Sequence, residues 1–170
     1  MLRRLCENGP VVLVPLAWTF AIAAHLDALA LRTVLIAHLV MDAILVAFTV
    51  LSWSAMRRGV LRAWRLVLLV GLALTLLGTT GLLQTPPASS LLWLTVVGWL
   101  LVPAGGLAYT GRHVDRSPLA YTGGAVLSAL GAIVYVAGTV VSGDPLVLVA
   151  GLAVAGVGQT AGIVAAVRDY

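Results

Sequence analysis

Residues 38–56 read HLVMDAILVAFTVLSWSAM, a run apolar enough to span a membrane that also carries a histidine, an aspartate, a threonine and two serines. At about 100° per residue, His38, Asp42, Thr49 and Ser52 return to one helical face, because their spacings are four, seven and three. A charged side chain at the centre of a membrane helix costs roughly 2.5–3.5 kcal/mol on the insertion scale, so such a stripe must face protein or water rather than lipid. The stretch therefore predicts a membrane helix with one protein-facing side, in a bundle of several.

The rest of the chain agrees. Of 170 residues, 61% are hydrophobic and 9% charged, with mean hydropathy +1.09, against about 25% charged in soluble domains. The pI near 10.0 does not indicate nucleic-acid binding, because the basic residues lie between apolar runs and read as topology signals. All ten basic residues are arginine, which excludes a retinal Schiff base or other lysine chemistry. A single cysteine, Cys6, excludes an intrachain disulfide, a redox pair or a thiolate metal cluster. The lysine-free, Ala/Val/Leu/Gly/Arg-rich usage fits a GC-rich prokaryotic genome.

Apolar runs at about 11–31, 34–56, 66–84, 91–110, 119–141 and 146–167 each approach the ~20 residues that cross ~30 Å of hydrocarbon. The expected fold is an all-α, polytopic membrane protein of six transmembrane helices in a single domain, 1–170, with any chemistry inside the helices. A first-span alternative is a signal peptide: MLRR, an apolar core and Ala21-Ile22-Ala23 for cleavage. Ala17, Ala21, Ala24 and Ala28 share one face, a small-residue surface for a neighbouring helix. Pro103-Ala104-Gly105-Gly106 predicts a kink or unwound segment in the fourth span. Alternating the spans puts nine arginines on one side and only Arg32 on the other, which places both termini in the cytoplasm and the protein in the cytoplasmic membrane.

At an offset of 80 residues, Gly71, Leu72, Ala73, Gly78 and Thr80 recur as Gly151, Leu152, Ala153, Gly158 and Thr160. Taken as an internal repeat, this gives a 3+3 arrangement whose second half is inverted, as in many secondary transporters. Span two then corresponds to span five, which has its own stripe: Tyr121, Ser128, Tyr135 and Thr139. Thr49 lies fifteen residues into its span and Ser128 thirteen from the same boundary, a depth difference of about 3 Å. The two stripes are therefore expected to face each other.

His25, Asp27, Arg32, His38 and Asp42 gather at one end of the first helical pair. Asp42, about 12 Å inside the boundary, needs a partner, for which His38 one turn away or Arg32 would serve. Three uses fit: a structural lock between helices, a proton or ion pathway, or a cofactor site. The cofactor would be haem b or a divalent metal on His25 and His38, with Arg32 toward a haem propionate. Gln159 and Thr160 lie within Gly158-x-x-x-Gly162, which reads first as helix packing. No catalytic signature is present. The leading expectation is a transporter- or channel-like protein with a proton- or ion-linked path lined by His38, Asp42, Thr49, Ser128 and Tyr135, supported by His25, Asp27 and Arg32. The alternatives are a haem- or metal-binding redox subunit, or a structural subunit of a membrane complex. The partners are the lipid bilayer and a second copy or complex subunit.

Overall fold

A computed structural model describes residues 2–169, with side chains from 11 to 168; the side chains of Arg3, Arg4 and Cys6 lie outside that range. The fold is all-α and multi-pass. Its elements are α1 (Leu2–His25), α2 (Leu31–Ser52), a 3₁₀ turn (Ala55–Arg57), α3 (Gly59–Leu82), α4 (Ser89–His113), α5 (Pro118–Ala137) continued by a π-helical turn (Gly138–Ser142), and α6 (Pro145–Asp169). Five helical segments are long and apolar enough to cross a bilayer, and Val11–His25 of α1 is a shorter apolar stretch.

Several boundaries differ from the hydropathy reading. α1 stops at His25, not near residue 31, because the backbone at Asp27 turns left-handed (φ 54°) and Ala28 N–H closes onto Ala23 O at 3.0 Å. Asp and Asn tolerate that conformation better than other non-glycine residues. Arg32 and Thr33, expected to form the connection, lie in the first turn of α2, and α3 begins at Gly59 rather than 66. Pro103 does not unwind α4, which runs unbroken from Ser89 to His113.

The helices pack in the order α2, α3, α4, α5, α6, α1. The first two helices do not pack as a pair: α1 lies on α6 and α2 on α3, despite their short connection. In lipid, helix association rests on close packing rather than on a hydrophobic drive, and the best surface for α1 is the one where Gly156 admits Trp18. A Cβ at Gly156 would lie 3.0 Å from the Trp18 Cβ.

The tightest contact is α5 on α6. Gly124 faces Gly158 and Gly131 faces Gly151, seven residues apart on each antiparallel helix, so that a Cβ at Gly131 would come within 2.4 Å of Gly151 O. α1 packs on α6 and α4 on α3, the two pairings that a 3+3 symmetry would relate. Each contact seats a tryptophan on a glycine, Trp18 on Gly156 and Trp99 on Gly71, but an offset of 80 relates Gly71 to Gly151, so the two are not equivalent positions. The symmetry breaks where α4 and α5 pack intimately and α1 and α2 do not.

Candidate functional site: two buried polar clusters in the membrane

The first cluster is built around a proline. Pro103 has no N–H, so the carbonyl four residues earlier, Trp99 O, loses its helical donor. Gln159 of α6 supplies one: its Nε2 donates to Trp99 O at 3.0 Å and to Ser128 Oγ at 2.9 Å. Its Oε1 accepts from Trp18 Nε1 at 3.2 Å. Ser128 Oγ in turn donates to Leu100 O at 2.8 Å, and Trp99 Nε1 donates to Thr75 Oγ1 at 3.1 Å. Five helices, α1, α6, α5, α4 and α3, are thereby joined by one run of hydrogen bonds. Gln159 and Ser128 are 4% and 0% exposed, and neither is left unsatisfied. A buried polar network with every member paired rigidifies and specifies a core, so this cluster is a staple. It also explains why α4 tolerates its proline. The sequence offered one signal for Gln159 as the hub: a membrane-depth proline frees a carbonyl that some buried donor must meet.

Tyr135 is occupied as well. His25 Nδ1 donates to Ala21 O at 2.8 Å, since a carbonyl only accepts. In the neutral ring Nε2 is then an acceptor, and it takes the Tyr135 hydroxyl at 3.0 Å. The rings meet edge-on with centroids 5.5 Å apart. His25 is thus held on α5, while His38 packs on α3, where a Cβ at Gly78 would lie 3.1 Å from His38 Cδ2. The two histidines are drawn to different helices, and a haem iron on His25 would have to replace Tyr135. Among the described residues no three His, Cys, Asp or Glu side chains come together. Asp27 and Arg32 are exposed at that end of the bundle.

The second cluster is on α2. Its buried residues are Asp42, Leu45 and Thr49, one face turned to α3. Thr79 Oγ1 donates to Asp42 Oδ2 at 2.7 Å. The other carboxylate oxygen, Oδ1, is buried with no hydrogen-bond partner, and so is Thr49 Oγ1 two turns further along. His38 does not reach Asp42: its Nδ1 donates to Val34 O at 3.0 Å, its Nε2 makes no hydrogen bond, and Asp42 Oδ1 has no partner. Thr79, which the sequence reading passed over, takes that place.

These contacts also correct the expectation that α2 and α5 face each other. The α2 stripe meets α3. The α5 stripe is consumed by α4, α6 and α1, with Ser128 on Leu100 O and Gln159, Tyr135 on His25, and Thr139 accepting from Trp93 Nε1 at 3.2 Å. Both stripes are protein-facing, as their periodicity required.

No family model, curated protein or solved structure matches this chain. The functional reading therefore rests on the contrast between the clusters. One polar network at membrane depth is complete; the other leaves a carboxylate oxygen open.

Proposed function

We propose that this is a transport-class protein of the cytoplasmic membrane in which Asp42 binds and releases a proton as part of an ion-linked cycle. The observation that carries this reading is the orphan Asp42 Oδ1, more than nine-tenths buried on a span of mean hydropathy 2.4. A purely structural aspartate would be expected to find donors for both oxygens, much as Gln159 has partners for both its oxygen and its nitrogen, because unpaired buried acceptors are costly. An open carboxylate oxygen in hydrocarbon is a place for a transferable proton, and intramembrane carboxylates commonly mark such paths. His38, one turn nearer the aqueous end, has Nε2 outside any hydrogen bond and serves as the relay between that end and Asp42. Thr79 orients the carboxylate, and Thr49 continues the polar face toward the opposite end. The arginine-rich end is the cytoplasmic one, with both termini there. Reporter fusions after Gln84 and at the C-terminus are expected on opposite sides of the membrane.

A hydrophobic carbodiimide, which reacts with protonated carboxyl groups inside membranes, tests the site without knowledge of the transported substrate. Protein in vesicles should be modified at Asp42. Asp42→Asn should abolish the labelling and leave the thermal midpoint nearly unchanged. Asp42→Leu should keep the midpoint, since it removes the costly unpaired Oδ1 along with the bond to Oδ2, and Thr79 can return its hydroxyl to its own helix. Absent labelling at Asp42, or a loss of about 2 kcal/mol or more in Asp42→Leu, would make Asp42 a structural lock and overturn the proposal.

A further inference from the structure

The turn between α2 and α3 concentrates positive charge, and among the described residues no carboxylate pairs with it. Residues 57–65 read RRGVLRAWR, four arginines in nine positions, and no aspartate or glutamate occurs between Asp42 and Asp115. Arg57, Arg58 and Arg62 are exposed, and none of the three side chains makes a hydrogen bond or ion pair within the described residues. Arg58 is extended (φ −133°, ψ 157°), and Gly59 adopts φ +57° with open space where its Cβ would be. The glycine permits the left-handed step that starts α3 directly after the arginine pair. Arg62 and Arg65, three apart, share a face of α3. The Arg65 guanidinium lies 4.3 Å above the ring of Trp53, at the end of α2. Trp53 itself is 42% exposed.

This juxtaposition sits where two apolar spans end, at the level of lipid phosphates. An indole at that depth seats against acyl chains and glycerol while its polar edge stays wet. Arginine is the side chain best shaped for phosphate, with planar paired donors. Clustered basic residues immediately beside a span attract anionic lipid. We propose that Trp53, Arg58, Arg62 and Arg65 form a headgroup site for an anionic phospholipid, with the phosphate between the guanidiniums and an acyl chain along the apolar face beside Trp53. Charge complementarity selects this occupant over a zwitterionic lipid, whose choline would be brought against the arginines.

The test uses full-length protein purified in neutral detergent, delipidated and titrated with phosphatidylglycerol, bound lipid being counted by native mass spectrometry. Phosphatidylglycerol should bind at least tenfold more tightly than phosphatidylcholine, and soluble glycerol phosphate should not displace it. Arg58→Gln/Arg62→Gln should weaken phosphatidylglycerol binding by roughly 10- to 30-fold. Arg112→Gln/Arg168→Gln, which removes the same charge elsewhere at that end of the bundle, should weaken it less than threefold. Each altered side chain in both pairs is exposed, so folding is not at risk. Equal loss in both pairs would show only diffuse surface charge. Equal binding of the two lipids, displacement by glycerol phosphate, or a preference for RNA or an acidic protein over lipid would each overturn the proposal.

Discussion

Gly131→Val should destroy the fold in detergent or membrane, with loss of a thermal transition and of monodisperse protein. A Cβ at position 131 would lie 2.4 Å from Gly151 O, 2.7 Å from Ala155 N and 2.8 Å from Ala155 Cβ. Two of those three atoms are backbone, so no rotamer change relieves them, and α5 must move off α6 along its whole length. Ordinary overpacking costs about 1–3 kcal/mol; a backbone collision in the most extensive helix contact of the molecule should exceed that range. Even Gly131→Ala should be strongly destabilising. The control is on the same helix: Gly123 has nothing within 4 Å of its would-be Cβ. There Gly→Ala should be neutral or stabilise by up to about 1 kcal/mol through helix propensity. Equal tolerance at the two positions would mean that the glycine seam is not the packing surface of α5.

The period of the polar residues was enough to say which sides of α2 and α5 face protein, because burial in a membrane depends on helical face alone. It was not enough to say which helix each side meets. Depth matching pairs Thr49 with Ser128, but the carbonyl of Leu100 and the side-chain amide of Gln159 claim Ser128 first, and a backbone acceptor such as Leu100 O is invisible to side-chain patterns. The 80-residue offset caught glycines that do line contacts, although Gly71 admits the Trp99 ring whereas Gly151 meets the backbone of α5. Asp42 stood out from sequence as a carboxylate needing a partner. That Thr79 would reach one oxygen and nothing the other follows only from the rotation of α3 against α2, which the packing of Gly78 on His38 sets. The end of α1 was misplaced because Ala28 to Leu31 is apolar, and hydropathy does not register the left-handed turn at Asp27.

The bond between Gln159 and the carbonyl freed by Pro103 makes a double-mutant cycle informative. Gln159→Leu removes the donor to Trp99 O and Ser128 Oγ and the acceptor of Trp18 Nε1. Hydrogen bonds between membrane helices average about 0.6 kcal/mol and reach about 1.7, so three lost together, with a buried carbonyl and indole left unpaired, should cost roughly 2–4 kcal/mol. Pro103→Ala restores an N–H aimed at Trp99 O. In the native protein that carbonyl already has a donor, so the change adds little beyond the small cavity left by a buried proline ring. In the Gln159→Leu background the restored N–H meets an orphan, and part of the loss should return. The double variant should therefore be more stable than the sum of the singles by about 1 kcal/mol, a coupling readable from detergent-unfolding midpoints because the cavity term is common to both backgrounds. Strict additivity would show that the Trp99 carbonyl is satisfied some other way. The staple would then hold through Ser128 and Trp18 alone.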